Sequence, residues 1–296
     1  DGYTFVGIKN GWKGVIDKDT LPLDLNSTSG ILPKGGTILG TSRTNPFKEP
    51  KNVKRVLKNF KALNLYCLVA IGGEDTLGVA NKLSKKGLPI IGVPKTIDND
   101  LSATDFTFGF DTAVNIATEA IDRLHTTAES HHRIMVVEVM GRHAGWIATY
   151  SGIAGGADVI LIPEKRIDLK EVCDILRKRK RRNKNFSIVV VAEGAQLKDK
   201  DLILKTGKKD AFGHVLLGGI GQTLAKRIEE MTGYETRVTV LGHIQRGGTP
   251  TAFDRVLSTR YGVKAIDLIK AKRFGQMVCL SGNQIKSVSI AKAVGK

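Results

Sequence analysis

The chain has 296 residues, enough for about two domains at ~150 residues each and for a core that needs no disulfide or metal staple. Hydrophobic residues at 41% and charged residues at 25% are ordinary for a globular protein and exclude a disordered one. Lys+Arg 46 against Asp+Glu 29 gives +17, which leaves nucleic acid, an anionic small molecule or a merely lysine-rich surface as the reasons for the charge.

In chain order, apolar runs that read as strands cover 4–8, 66–71, 89–93, 133–139, 158–162, 187–192, 236–241 and 276–280. Most are solid apolar blocks, as in strands buried on both faces. Helical periodicity fills the gaps at 52–63, 76–86, 112–128, 169–182, 213–231 and 252–271. Strand–helix alternation predicts an α/β fold with mainly parallel sheets covered by helices, and ligands at the carboxyl ends of strands. Nothing in the chain resembles a linker, so the two domains are expected to be interleaved in sequence.

Several classes are set aside. No apolar run reaches the ~18 residues of a membrane span, and Asp1-Gly2-Tyr3-Thr4-Phe5-Val6-Gly7 lacks the layout of a secretory leader. Cys67, Cys173 and Cys279 lie far apart without a CxxC, which excludes a disulfide scaffold and suits a reducing, cytoplasmic compartment. The basic run from Arg177 to Lys184 ends a predicted helix, where cations favour the dipole's negative end. No aromatic interleaves with it, so a single-strand nucleic-acid platform is not expected.

Five polar clusters stand at predicted strand ends. Gly72-Gly73-Glu74-Asp75-Thr76 opens a helix. Its glycines admit a close ligand and the helix N-terminus favours anions, but two acids there repel phosphate unless a divalent cation intervenes, which suggests Mg²⁺ with a polyphosphate. The bland alternative is a capped turn. Pro94-Lys95-Thr96-Ile97-Asp98-Asn99-Asp100 offers a carboxylate to take a proton from an alcohol and a lysine to neutralise a moving phosphoryl group; an Asx-rich turn is the plain reading. Met140-Gly141-Arg142-His143, with Arg133 at that strand's start, Ala192-Glu193-Gly194, and the stretch from Thr236 to Gly248 with Arg237, His243 and Arg246 suit a phosphate monoester. No Walker A loop, Ser nucleophile elbow or His metal spacing occurs, and Gly218-Gly219-Ile220-Gly221 reads as a tight packing contact.

Together these five clusters resemble the 6-phosphofructokinases, in order and spacing, across nearly the whole chain. The resemblance implies two similar domains with the active site in the cleft between them, 1–109 plus 245–275 holding the phosphoryl donor and 110–244 plus 276–296 holding the sugar phosphate. It also implies phosphoryl transfer to the 1-hydroxyl of fructose 6-phosphate with Mg²⁺, and a homodimer or homotetramer with shared sites. By the same resemblance Asp98 is the base, with Lys95 and Asp75 beside it in catalysis, and Glu74 holds the metal. Thr96, Ile97, Met140, Gly141, Arg142, Glu193, His243, Ile244, Gln245 and Arg246 line the sugar-phosphate site. Arg133 and Arg237 reach in from a neighbouring subunit, while Gly73, Asp75 and Arg43 face the donor. Pyrophosphate-using members carry aspartate where Asp75 stands and lysine where Lys95 stands, and ATP users usually carry glycine in place of that aspartate. Pyrophosphate is therefore the expected donor and ATP the alternative. Members open with a strand and a GGDxPG-type loop. This sequence opens at Asp1-Gly2-Tyr3, past that unit, and ends early at Val294-Gly295-Lys296. That reads as a fragment or a degenerate copy and keeps an inactive paralogue or a basic binding protein as further alternatives.

Overall fold

The computed structural model describes residues 2–198 and 218–294. Its strands, in chain order, are β1 (Phe5–Ile8), β2 (Thr20–Leu23), β3 (Leu68–Gly72), β4 (Ile90–Thr96), β5 (Phe108–Gly109), β6 (Ile134–Val139), β7 (Val159–Leu161), β8 (Ser187–Ala192), β9 (Thr236–Val240), β10 (Gln276–Ser281) and β11 (Gln284–Ser289). The helices are α1 (Trp12–Asp17), α2 (Leu25–Thr28), α3 (Pro50–Ala62), α4 (Glu74–Ser84), α5 (Phe110–His131), α6 (Trp146–Ala154), α7 (Leu169–Arg181), α8 (Ile220–Thr232), α9 (Ala252–Lys270) and α10 (Ile290–Ala293).

Two sheets organise the molecule. The first runs β11-β10-β4-β3, with β5 beside the end of β4; β3, β4, β5 and β10 are parallel and β11 is antiparallel. The second is all parallel in the order β7-β8-β6-β9. Alternation along each strand sends side chains to two different cores. In the first sheet Ile90, Met277 and Cys279 face α3 and α4, while Ile91, Val93, Val278 and Leu280 face α9. In the second, Val136, Val189 and Val191 pack on α7 and α8, and Val137, Val139 and Val190 pack on α5 and α6. Each sheet is thus sandwiched between helices, which is why its strands read as unbroken apolar blocks.

Two expectations are corrected. Residues 276–296 are expected with the second sheet; of these, the described residues 276–294 belong with the first. Gln276 and Met277 pair with Ile91 and Gly92 of the first, and Gly92 lets Met277 approach closely. A short apolar strand does not reveal which sheet it joins. The run at 4–8 forms a strand, but in a two-stranded antiparallel hairpin with β2, Phe5 and Val6 remaining exposed, rather than in either parallel sheet. The predicted helix at 213–231 is found from Ile220 onward; its first residues, 213–217, lie outside the described part.

The Gly218-Gly219-Ile220-Gly221 turn has a packing role, as expected. The buried Glu138 of β6 accepts the N–H groups of Gly219 (3.3 Å) and Gly221 (2.8 Å), closing the N-terminus of α8, and a Cβ on Gly221 would crowd that carboxylate. Much of the basic run on α7 is engaged within the protein: Arg177 with Asp174, Arg179 with Asp158, and Lys180 over the Tyr234 ring. Among the described residues no helix is long and apolar enough to cross a membrane.

Candidate active site

The centre of the site is the loop that leaves β4. Asn99 adopts a left-handed conformation (φ 51°), and its side chain stitches the loop together. Its Oδ1 accepts from the Thr107 N–H (2.9 Å), and its Nδ2 donates to the Asp105 carbonyl (3.1 Å). The buried Thr107 hydroxyl donates to the Thr96 carbonyl (2.8 Å), and the Asp98 N–H donates to the Thr96 hydroxyl (3.1 Å). Within this closed loop Asp98 is only 6% exposed, and its Oδ1 has no hydrogen-bond partner. A buried carboxylate without a full set of donors resists ionisation. Burial first, then the neighbouring Asp100, push its pKa up to about 6; Arg142 and Arg246 pull the other way and Glu193 adds to the rise.

Asp100 follows the same pattern. Burial raises its pKa, Asp75 adds to the rise, and Arg142 and His143 oppose it. Lys95, at the end of β4, reaches solvent but is ringed by protein; that surrounding mass and the charge of Arg246 lower its pKa, while Asp98 holds it up. Asp75, in the first turn of α4, pairs with Arg142 at 3.8 Å. The loops after β3, β4, β6, β8 and β9 therefore converge, and the carboxyl groups of Glu74, Asp75, Asp98, Asp100 and Glu193 outnumber the basic groups of Lys95, Arg142 and Arg246.

A cleft of about 690 Å³ opens beside this cluster, with Glu74, Asp100, Arg142 and His143 on one wall and Phe106, Trp146 and Tyr150 on another. It is large enough for a small phosphorylated ligand. Sequence reasoning missed the aromatic wall, because Phe106, Trp146 and Tyr150 look like ordinary core residues; Trp146 meets Tyr150 within α6, and the Phe106–Tyr150 contact forms only when α6 packs beside the β4–β5 loop.

The arginine of the third cluster is held by backbone strain and neighbours together. Gly141 (φ 142°) and Arg142 (φ 52°) form a left-handed turn. Glu193 Oε1 accepts the Arg142 N–H (3.1 Å), and a Cβ on Gly194 would run into the Arg142 carbonyl. Glu193 is thus bound to the turn itself. Met140 is buried, Ile97 half-buried, and Ile244 and His243 are exposed. Gly73 precedes α4, and a Cβ there would come into van der Waals contact with Thr96.

Three predicted residues are not brought to the cluster by any contact. Arg133 and Arg237 stand at the starts of β6 and β9, the opposite edge from the Met140 and His243 turns, and share one carboxylate, that of Glu235. Glu235 went unnoticed in the sequence; its pKa is lowered by Arg133 and Arg237. Arg43 is exposed in the segment before α3. That segment is pinned where the Ser42 hydroxyl donates to the Asn10 carbonyl (2.7 Å) and where Gly35 lies against the Gly248 carbonyl, beside the turn that ends at Arg246.

A family model described as Phosphofructokinase matches residues 1–269. A pyrophosphate–fructose 6-phosphate 1-phosphotransferase of Streptomyces coelicolor is 59% identical over 296 residues, 100% of this chain and 86% of that protein. One from Amycolatopsis methanolica is 56% identical with the same coverage. An ATP-dependent 6-phosphofructokinase 3, also of Streptomyces coelicolor, is 50% identical over 99% of this chain and 86% of its own length. Among solved structures, phosphofructokinase from Saccharomyces cerevisiae superposes with a TM-score of 0.85 at 30% identity over 99% of this chain, which spans 41% of that yeast chain. A pyrophosphate-dependent phosphofructokinase from Marinobacter aquaeolei, at 22% identity and a TM-score of 0.82 over 99% of this chain and 76% of that one, shares the fold. With a family model matching residues 1–269 and this likeness running the length of the sequence, the chain belongs to the phosphofructokinase family.

Proposed function

We propose that the chain moves a phosphoryl group from pyrophosphate to the 1-hydroxyl of fructose 6-phosphate, giving fructose 1,6-bisphosphate and orthophosphate, reversibly, as a step of glycolysis in a reducing, cytoplasmic setting. The observation that carries the reading is Asp98: a buried carboxyl poised at about 6, within the electrostatic reach of Arg142, Arg246 and Lys95. A base with that pKa is ionised at neutral pH and still takes a proton readily. Asp98 accepts the proton of the attacking hydroxyl. The sugar oxygen bonds to the transferred phosphorus as the bridging P–O bond of pyrophosphate breaks, and the Lys95 ammonium offsets charge on the departing phosphate. Arg142, Arg246 and His243 hold the sugar's own phosphate.

The carboxylates that line the cleft suit a hard cation. Glu74 and Asp100 both line the cleft, and Asp100 Oδ1 is buried without a hydrogen-bond partner. Among the described residues no group of three His, Cys, Asp or Glu side chains forms a complete metal cage. Mg²⁺ needs none, since it binds through one or two carboxylates together with substrate phosphates. Glu74 is the residue proposed to hold it, and the bound ion would neutralise phosphate charge.

Pyrophosphate is favoured by Asp75, and the names of the 59% and 56% identical relatives agree. The test is a side-by-side assay with fructose 6-phosphate and either pyrophosphate or ATP. Turnover with pyrophosphate at a kcat/KM well above that with ATP is expected; the reverse order would replace this reading with the ATP-dependent one, and no turnover with either would leave a binding protein or an inactive paralogue.

Arg133 and Arg237 fit a shared site in a homodimer or homotetramer. A six-residue strand is about 20 Å long, so arginines at strand starts do not serve the strand-end turns of their own sheet. An isologous interface would bring them to a neighbour's site. Mixing an inactive Arg237→Ala chain with an inactive Asp98→Asn chain is expected to restore part of the activity, because some hybrid sites then hold both native residues. Hybrids that form and stay inactive would make these arginines ordinary surface charges.

A further inference from the structure

Arg142 sits in a left-handed turn that a residue with a side chain keeps only where its surroundings over-determine it. Glu193 grips one end of the turn through the Arg142 N–H. The other end is gripped from far away in sequence. Gln245 is 1% exposed, and both ends of its carboxamide are used on backbone: Oε1 accepts the Met140 N–H (3.3 Å), and Nε2 donates to the Gly242 carbonyl (3.1 Å). The Gln245 carboxamide is therefore engaged by the protein's own backbone at both ends. Its neighbours in sequence are Ile244 and Arg246, and Arg246 acts on both Asp98 and Lys95.

We infer that Gln245 is a positioning residue: its carboxamide ties the turn that carries Arg142 to the turn that carries His243 and Arg246, and so sets the spacing of two guanidiniums for one phosphate monoester. This rests on the proposed function, which gives both arginines to the sugar phosphate. The chemistry of the side chain suits the task. An amide both accepts and donates without a charge, so it bridges an N–H and a C=O inside a crowded set of ionic groups without perturbing them. Glutamate of the same shape loses the donor, and methionine fills the volume with neither function. Guanidinium recognition of phosphate is directional, and a misplacement of about 1 Å is enough to cost on the order of 10²-fold.

The experiment is Gln245→Met, with Arg246→Ala and the double variant beside it, each substrate varied in turn. The expected result for Gln245→Met is a KM for fructose 6-phosphate raised about tenfold or more, equivalent to roughly 1.4 kcal/mol of binding, with the KM for pyrophosphate little changed. The double variant should lose far less than the product of the two single losses, because with Arg246 gone there is less left to align. A purely structural glutamine would lower the melting temperature and spare the KM split. An unchanged KM in Gln245→Met, or losses that multiply independently, overturns the inference. If Arg246→Ala leaves the fructose 6-phosphate KM untouched, the functional reading fails first and takes the inference with it. Should Gln245→Met fail to fold, Gln245→Glu is read in the same way: a selective rise in that KM supports the inference, and an equal KM overturns it.

Discussion

Replacing Asp98 with Asn is expected to lower kcat on the order of 10²–10⁴-fold while leaving the KM for fructose 6-phosphate close to that of the native chain. The amide keeps the shape and cannot take the hydroxyl proton. In the native chain kcat/KM should fall about tenfold per pH unit below about 6, the pKa to which burial and Asp100 push this carboxyl. The residual activity of Asp98→Asn should lack that limb. The same substitution is expected to stabilise the fold. In the unfolded chain this carboxyl titrates near ~3.9 and in the folded one at about 6. Between those values the native state holds more protons, so stability falls as pH rises and stays lower above the folded pKa. A shift of about two units corresponds to a cost on the order of 2–3 kcal/mol at neutral pH. Asp98→Asn removes that cost, so its melting temperature should exceed the native one at pH 7 and match it near pH 3. A variant with near-native kcat and a raised KM would make Asp98 a binding group instead. A variant less stable than the native chain at pH 7 would mean the carboxylate is well solvated.

The strand-end clusters were legible because each joins a buried strand to glycine and charge within a few residues. Buried strands need unbroken apolar side chains, and loops that approach a ligand need glycine. That pattern placed Asp98, Arg142, Glu193 and Arg246 before any geometry was known. It does not say which side chains also bond the backbone: the Gln245 carboxamide bonds Met140 and Gly242, and Glu193 Oε1 grips the Arg142 turn. Such bonds connect residues 105 and 51 positions apart, a separation that local periodicity does not sense. The placement of β10 failed for a related reason: its alternation suits either sheet, and only the close approach at Gly92 selects the first. Glu235 was invisible because a lone acid before a strand has no distinguishing spacing. Its meaning comes from the two arginines that fold around it.

Exchanging Asp75 for Gly is expected to turn the donor preference from pyrophosphate toward ATP. Asp75 occupies the first turn of α4, where the helix dipole favours negative charge and would otherwise attract a phosphate. Its carboxylate already supplies that charge and pairs with Arg142 at 3.8 Å. A two-phosphate donor that reaches only as far as Lys95 avoids it. A nucleoside triphosphate, longer by one phosphate and a nucleoside, must bring its innermost phosphate against it. Two unit charges 4 Å apart at the protein surface repel by about 4 kcal/mol, enough to set donor choice by several hundredfold. The Asp75→Gly substitution removes the repulsion and bares the helix N-terminus. It also frees Arg142 from one carboxylate and relieves Asp100 of a like charge. The expected outcome is a kcat/KM for ATP raised by at least about tenfold, with that for pyrophosphate lowered and the KM for fructose 6-phosphate modestly lowered by the released Arg142. Varying salt separates the causes. A through-space repulsion in a partly open cleft weakens as ionic strength rises from 0.01 to 1 M, where the screening length shrinks from about 30 to 3 Å, so the native chain's discrimination against ATP should soften with salt while that of Asp75→Gly stays flat. An Asp75→Gly chain that still rejects ATP at every salt concentration would show that shape, rather than the Asp75 charge, excludes the nucleotide.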